Sequence, residues 1–231
     1  MSVDLNETVA KKRRVPQQSR SRDRVMRILD AAAALVCEEG VDAITTRGIA
    51  EQAEIPVASL YQYFADKDEI LLALVERDVE ELDAQVAGDI AELRVLSVRT
   101  IVSATMDAYT RFYRERPAFV MIWLRGRTNQ AIKDYGRVHN TKVAEDLLGF
   151  VTAAGLLDAT KATRLVAEIA VEMTDRCFQL AFESSMTGEP QILSEARELV
   201  TTYLERYATK AGIDGVPIGS SRAGRAGGTT V

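Results

Sequence analysis

The stretch from Thr45 to Lys67 reads TTRGIAEQAEIPVASLYQYFADK and contains two short helical patterns placed back to back. In the first pattern Ile49 and Ala53 are four residues apart, and in the second Leu60 and Phe64 have the same spacing. Residues with this spacing lie on one face of a helix. Two short helices joined by a short turn form a helix-turn-helix, whose second helix can enter the major groove of DNA.

Local signals define the ends of these two helices. Thr45 is suited to cap the first helix, since its hydroxyl can accept a hydrogen bond from a backbone N–H two or three residues on. The break falls at Glu54-Ile55-Pro56. Proline is excluded from a helix interior but is suited to the start of a new helix, where no N–H is needed.

The rest of the chain also shows helical spacing, which predicts an all-α fold. A helix from Ser21 to Gly40 is expected to pack across the helix-turn-helix and to form a small core with Ile44, Ile49 and Leu60. A long helix follows Lys67, and further helices are predicted over 98–112, 119–132, 143–154, 158–186 (capped by Asp158) and 191–210. We therefore predict four regions: a disordered basic arm (1–20), a helix-turn-helix domain (21–70), a helical ligand-binding and dimerisation domain (71–211) and a flexible Gly-rich tail (212–231).

Charge is distributed unevenly along the chain. The net charge is −5, which by itself argues against nucleic-acid binding. Between Lys11 and Arg27, however, eight basic residues accompany a single acid, Asp23. A positive arm on a negative body is typical of a protein whose one end meets phosphates, although a solvated tail would have the same composition.

Composition narrows the class of protein. With 47% apolar residues, the 231-residue chain can form a substantial core, and it contains no apolar run long enough to span a membrane or to act as a secretory signal. Cys37 and Cys177 are far apart in sequence and are expected to be buried thiols of a reducing cytoplasm. Because His139 is the sole histidine, we expect no histidine-rich metal site. We also expect no cofactor.

The helix-turn-helix stretch is similar to the DNA-binding domain of the tetracycline repressor (TetR) family. The resemblance lies in the pattern Thr-Thr-Arg-x-Ile-Ala-x-x-Ala of 45–53, followed by Leu-Tyr-x-Tyr-Phe-x-x-Lys-x-x-Ile-Leu of 60–71. It covers roughly residues 24–72, and beyond them only the architecture matches. The resemblance implies a homodimeric regulator of transcription, expected to be a repressor, that binds a double-stranded DNA operator and is released from it by a small hydrophobic or aromatic ligand.

The family pattern also implies a role for each residue. Thr46 and Arg47 are expected to contact phosphate, with Thr45 capping the helix that presents them, and Tyr61, Tyr63 and Lys67 to contact the sugar-phosphate backbone. Base edges would face the front of the second helix, at Val57, Ala58, Ser59 and Gln62. Glutamine can bond adenine through two hydrogen bonds, and the methyl groups of valine and alanine suit thymine. An exposed glutamine or serine can equally be just solvated.

Three positions depart from the family pattern. Glu54 occupies the turn position where the family usually has glycine, so it must either adopt an unfavourable backbone conformation or reshape the turn. Gly48 stands where a capping box needs Glu or Asp. Pro56 replaces the usual Ser or Thr cap and therefore gives up a side-chain hydrogen bond.

The family resemblance assigns dimerisation to the last two long helices, where Tyr203 and Tyr207 are compatible with a symmetric contact, although they could also be buried within one chain. An apolar effector pocket is predicted from aromatic and thioether side chains that could equally be core: Met106, Tyr109, Phe112, Met121, Trp123, Met173, Cys177 and Phe178. Arg125 or Arg127 could anchor a ligand carboxylate. The sequence contains no nucleophile–base pair and no Gly-rich phosphate loop, so we do not expect an enzyme. The alternative to a transcriptional repressor is a helical adaptor protein that keeps the helix-turn-helix as a scaffold.

Overall fold

The N-terminal unit consists of three helices in the structure, a computed structural model that describes residues 17–125 and 129–218. Helix α1 spans Gln17–Glu39, α2 Thr46–Gln52 and α3 Val57–Leu60. Helix α1 begins four residues before the predicted start at Ser21, and most of the predicted basic arm lies outside the described residues. Gly40 follows α1 with a φ of 88°, a left-handed conformation that suits glycine at the end of a helix.

The core of this unit is the one predicted from the sequence. Ile44 is 2% exposed, and Ile49 and Leu60 are fully buried. They pack with the apolar face of α1, which includes Ile28 and Val36, both fully buried. The apolar spacing along α1 therefore fixes how the two short helices are held.

Helix α4 (Lys67–Ala91) runs from this unit into the larger domain, where it packs against α5 and α7. Its first turn is stabilised by reciprocal caps: the Glu69 N–H donates to Asp66 Oδ1 at 2.9 Å, and the Ala65 N–H donates to Glu69 Oε2 at 2.6 Å. The Arg77 guanidinium contacts Asp30 of α1 at 2.7 Å and the buried Asp78 at 3.0 Å. Helix α4 is thereby tied to both parts of the chain.

Five of the helices that follow α4 keep the predicted order but have different bounds. They are α5 (Val98–Glu115), α6 (Pro117–Phe119), α7 (Gln130–Ala153), α8 (Lys161–Ala181) and α9 (Pro190–Glu205). The helix predicted over 119–132 is wrong as a single element, because α6 passes into a π-helical turn, Val120–Arg125. Asn129 then caps α7 by accepting the Ile132 N–H at 3.1 Å, so the predicted 143–154 helix is only the second half of α7.

The predicted cap of the next helix was also wrong. Thr160, not Asp158, caps α8, and Thr160 and Thr163 form a reciprocal capping box. Asp158 contributes only its backbone carbonyl, which accepts the Thr163 hydroxyl at 2.6 Å. The Thr163 side chain completes the capping box of Thr160, so α8 begins at Lys161 rather than directly after Asp158.

The C-terminal segment is ordered further than predicted. A short helix α10 (Lys210–Asp214) and strand β2 (Val216–Pro217) follow α9, and β2 pairs antiparallel with β1 (Val95–Leu96). A Cβ on the buried Gly212 would lie 2.3 Å from the Leu156 carbonyl oxygen, so this glycine allows a close approach of backbones. The tail predicted from residue 212 therefore packs as far as 218, and 219–231 lie outside the described residues. The all-α prediction is confirmed, since β1 and β2 contain only two residues each.

Candidate nucleic-acid interface and ligand cavities

The turn between α2 and α3 is a helix-ending motif that places Glu54 in a left-handed conformation. The Ile55 N–H donates to the Ala50 carbonyl at 3.0 Å and the Glu54 N–H to the Glu51 carbonyl at 3.1 Å, the paired bonds of a Schellman motif. Glu54 has a φ of 53°, where glycine is usual. Of the two alternatives expected for Glu54, the structure shows the unfavourable backbone conformation.

The starts of α2 and α3 follow the predicted chemistry. Thr45 Oγ1 accepts the Gly48 N–H at 3.1 Å, which confirms Thr45 as the cap. Pro56 occupies the capping position of α3 with a φ of −60° and makes no side-chain cap bond. Arg47, on the exposed side of α2, pairs with Glu51 one turn on, at 3.1 Å between Nε and Oε1.

Helix α3 and the turn that follows it present one buried face and one exposed face. Leu60 and Phe64 point into the core, whereas Ala58, Tyr61 and Gln62 are exposed. Val57 and Ser59 are half-buried at the edge of this exposed face. The exposed face is accessible to a DNA groove, because the apolar side chains of Leu60 and Phe64 are buried in the core.

Three predicted backbone-contact residues are held by other parts of the unit. The Tyr61 hydroxyl lies 3.0 Å from Thr46 Oγ1, which links the second helix to the start of α2. Tyr63 is half-buried, and a hydrogen bond with Ser21 of α1 lowers the pKa of its phenol. The Lys67 ammonium donates to the carbonyls of Val41 and Asp42, both at 3.3 Å. The sequence did not indicate these contacts, because each joins two residues that are 15 to 42 positions apart in the chain.

An apolar cavity of about 100 Å³, here the inner cavity, lies between α5, α7, α8 and α9. Its walls are mainly aliphatic, and the polar groups on it are those of Thr105, Tyr109, Thr174 and Asp175. Burial, followed by the negative charges of Asp83 and Asp175, raises the pKa of the Tyr109 phenol well above its ordinary value. Tyr109 is therefore neutral at pH 7.

A second cavity of about 300 Å³, here the outer cavity, adjoins the inner one at Asp175. Trp123 forms part of its wall, and Gly136 allows this contact, since a Cβ there would lie 3.0 Å from Trp123 Cη2. Its charged residues are Lys133 and Arg137 of α7 and Glu172 and Asp175 of α8. The outer cavity is thus polar where the inner one is apolar.

The structure disperses the eight residues predicted to line one pocket. Met106 and Tyr109 line the inner cavity and Trp123 the outer one. Met173 lies in a shallow groove on the outer face of α8, and Met121 and Cys177 are half-buried against the core. Phe112 and Phe178 are fully packed in an aromatic cluster with Tyr113 and Phe119. Sequence reasoning missed the aliphatic walls, because Val143, Leu147 and Val171 show the same spacing as ordinary core residues.

The single histidine joins α4 to α7. His139 Nε2 lies 3.6 Å from Asp83 Oδ1, and the imidazole stacks on Tyr135. Burial lowers the pKa of His139 and raises that of Asp83, so both shifts disfavour the charged forms. In the described residues no group of three or more His, Cys, Asp or Glu side chains could hold a metal ion.

Helices α8 and α9 leave apolar side chains at the surface. Leu165, Ile169 and Leu180 of α8 and Leu199 of α9 are between 37% and 57% exposed. Tyr203 and Tyr207 contact each other edge to face, with ring centroids 5.7 Å apart. Within 17–125 and 129–218, no helix is both long and apolar enough to cross a membrane.

Both halves of the chain match known families. Residues 28–74 match the model of the bacterial regulatory proteins of the tetR family, and residues 96–208 that of the tetracyclin repressor-like C-terminal domain. A TetR-family transcriptional regulator from Streptomyces coelicolor is 32% identical in sequence, and its crystal structure superposes with a TM-score of 0.66 over 80% of this chain and 99% of that chain. This chain belongs to the TetR family. The family predicted from the helix-turn-helix residues is confirmed.

Two named relatives of this TetR-family protein differ in how much they share with it. The HTH-type transcriptional repressor KstR from Mycolicibacterium smegmatis is 39% identical over 64 residues, which are 28% of this chain and 31% of KstR. The HTH-type transcriptional regulator HbdR from Aromatoleum sp. (strain CIB) is 26% identical over 164 residues, 67% of this chain and 69% of HbdR. The chain thus matches only about a third of the length of KstR.

Proposed function

We propose that this TetR-family protein is a sequence-specific DNA-binding transcriptional repressor that is released from its operator by a small apolar or aromatic effector. The observation that carries the proposal is the exposed surface that Ala58 of α3 forms with Tyr61 and Gln62 of the turn after it, beside the buried Leu60 and Phe64. A major groove accepts a helix with such a face. This function places the protein in the cytoplasm, with the chromosome.

Each predicted DNA contact keeps its role in the proposal. Thr46, Arg47, Tyr61 and Tyr63 meet the sugar-phosphate backbone, while Val57, Ala58, Ser59 and Gln62 face base edges. Lys67 contributes to phosphate binding without leaving its place, because an ammonium has three donors and two of them serve Val41 and Asp42.

Dimerisation through the exposed apolar faces of α8 and α9 completes the reading of DNA. A single helix-turn-helix reads only one half-site, whereas a two-fold dimer reads two half-sites one helical turn apart. The exposed Leu165, Ile169 and Leu199 support dimerisation through this surface, since clustered apolar side chains at a surface favour association.

Helix α4 connects the effector cavities to the DNA-binding unit. Its start carries Lys67, Arg77 ties it to α1, and Asp83 meets His139 of α7. An effector that favours another position of α7 would shift α4 and the spacing of the two reading helices. A coupling of about 1–3 kcal/mol would weaken operator binding roughly 5- to 150-fold.

A mobility-shift experiment on the DNA upstream of the protein's own gene tests the proposal. The full-length protein is titrated at two salt concentrations, with a shuffled duplex of the same length as the control. Tighter binding to the natural duplex, weakening steeply with salt, is expected because phosphate contacts dominate affinity. A folded dimer that binds both duplexes equally, or neither at low salt, would favour the helical adaptor instead.

A further inference from the structure

The wall of the inner cavity contains a tyrosine whose position is fixed by neighbouring rings. The Tyr109 ring stacks on Phe178 with the ring centroids 5.4 Å apart, and it meets Tyr113 edge to face at 5.7 Å. Phe178 and Tyr113 are themselves buried, so these contacts hold the Tyr109 ring in one orientation. Tyr109 also lines the inner cavity, which places a rigidly held phenol beside the space that a ligand would occupy.

The hydroxyl of this phenol is a donor without an acceptor. Within residues 17–125 and 129–218, the Tyr109 hydroxyl makes no hydrogen bond. Burial raises the pKa of the phenol, so the hydroxyl keeps its proton at pH 7 and can donate it. Leaving a buried donor unpaired costs about 1–3 kcal/mol. A ligand that brings an acceptor oxygen to this hydroxyl would remove that cost.

The threonines of the inner cavity are less suited to this task. The Thr174 hydroxyl already donates to the Ala170 carbonyl at 2.7 Å, one turn earlier in α8. Thr105 lies one turn before Tyr109 on α5, where its hydroxyl can turn to its own backbone in the same way. A tyrosine hydroxyl lies too far from its own backbone to do so. Tyr109 is therefore the donor that a ligand can satisfy.

The charged groups around the inner cavity favour a neutral acceptor. Among the described residues, no Lys, Arg or His side chain lines this cavity, and Lys133 and Arg137 line only the outer one. Its one carboxylate, Asp175, is already engaged, and the Gln179 amide is one of its partners at 2.6 Å. An anionic ligand group would lose its hydration in this cavity without gaining a cation, and burying an unpaired charge is costly.

We propose that the effector is a neutral compound with an acceptor oxygen, such as the carbonyl of a ketone, on an apolar body of ring size, and that the Tyr109 hydroxyl donates a hydrogen bond to this oxygen. The inference rests on the proposed function, since it names the ligand class of the same cavity. The size of the body follows from the volume: an aliphatic cavity of about 150 Å³ holds one benzene ring in an engineered protein, and the inner cavity, at about 100 Å³, is of similar scale.

Two probes of the same shape test the inference: cyclohexanone and methylenecyclohexane, in which a CH₂ group replaces the carbonyl oxygen. Their affinities for the full-length protein are measured by isothermal titration calorimetry without DNA. The quantity of interest is the ratio of the two affinities, because the contribution of the apolar ring cancels in it. Failure of cyclohexanone to bind the folded protein would overturn the inference.

The variant Tyr109→Phe removes the hydroxyl and keeps the ring contacts with Phe178 and Tyr113. We expect the affinity ratio of cyclohexanone to methylenecyclohexane to fall roughly two- to tenfold in this variant, which is the effect of losing one neutral hydrogen bond. An unchanged ratio in the folded variant would overturn the inference. If the ratio fell in Thr105→Val and stayed unchanged in Tyr109→Phe, the acceptor would lie at Thr105 and the assignment to Tyr109 would be wrong.

The matched control is Tyr207→Phe, which removes the same hydroxyl from an exposed tyrosine that lines neither cavity. Its affinity ratio should equal that of the unmodified protein. A fall as large as that in Tyr109→Phe would show that the ratio does not report the inner cavity, and the inference would fail.

A parallel mobility shift separates the two proposals. A ratio that depends on the Tyr109 hydroxyl, in a protein that binds no DNA specifically, would refute the repressor and keep the ligand class. Specific DNA binding together with an unchanged ratio in Tyr109→Phe would keep the repressor and refute the ligand class.

Discussion

The DNA-binding unit and the wall of the inner cavity in the larger domain bury apolar side chains to different degrees. In the unit, Ile49 and Leu60 are completely buried and fix the orientation of the exposed residues beside them. In the larger domain, Leu147 and Val171 are only half-buried and form the wall of a cavity. Close packing in the DNA-binding unit holds a fixed exposed surface, whereas packing around the inner cavity leaves a space of about 100 Å³.

Truncating one leucine in each region should give the largest difference between the two regions. Leu60→Ala should lower the free energy of unfolding of the DNA-binding unit by about 2–5 kcal/mol, because it leaves a new cavity in a close-packed core. Leu147→Ala only enlarges an existing cavity and should cost clearly less. Urea unfolding followed by circular dichroism measures both, and equal losses would contradict the contrast between the two regions.

Gln62→Ala tests the exposed surface of the unit without touching its core. Loss of the amide should relax the preference at one base pair by about 1–3 kcal/mol, while stability stays unchanged because the side chain is exposed. Competition mobility shifts against operators altered at single base pairs give the measurement. A loss of affinity that is equal for all sequences would show that Gln62 does not read a base.

Lys67→Ala is expected to have a smaller effect than Gln62→Ala, and to change DNA affinity rather than sequence preference. It should weaken binding to all DNA sequences alike and reduce the salt dependence by about one phosphate contact. The matched control is Lys133→Ala, which removes a lysine from the outer cavity. Measured in parallel over a salt series, the control should keep the slope of the unmodified protein, and an unchanged slope in Lys67→Ala would place Lys67 away from phosphate.

The two regions also differ in how far the sequence predicts them. The caps, the inward Leu60 and the backbone of Glu54 follow from local chemistry over a few residues, and the structure agrees with each. The cavity does not, because Val143 and Leu147 show the same helical spacing whether they fill a core or line a space. What separates these outcomes is the distance between α7, α8 and α5, which long-range packing sets. The π-helical turn at Val120–Arg125 could not be predicted from the sequence either, since no short motif indicates it.

The turn at Glu54 provides the smallest expected effect and the finest test of the fixed surface. Glu54→Gly should stabilise the DNA-binding unit by about 0.5–1 kcal/mol, because glycine relieves the strain at a φ of 53° but gains freedom in the unfolded chain. Glu51→Gly, at an ordinary helical position in α2, is the control and should destabilise the unit by about 1 kcal/mol. Thermal unfolding of both variants decides the point. If Glu54→Gly also destabilises the unit, the side chain of Glu54 must contribute more than its backbone conformation costs. If it stabilises the unit while DNA affinity is unchanged, the strain has no part in presenting Gln62, and the fixed surface depends on the buried side chains alone.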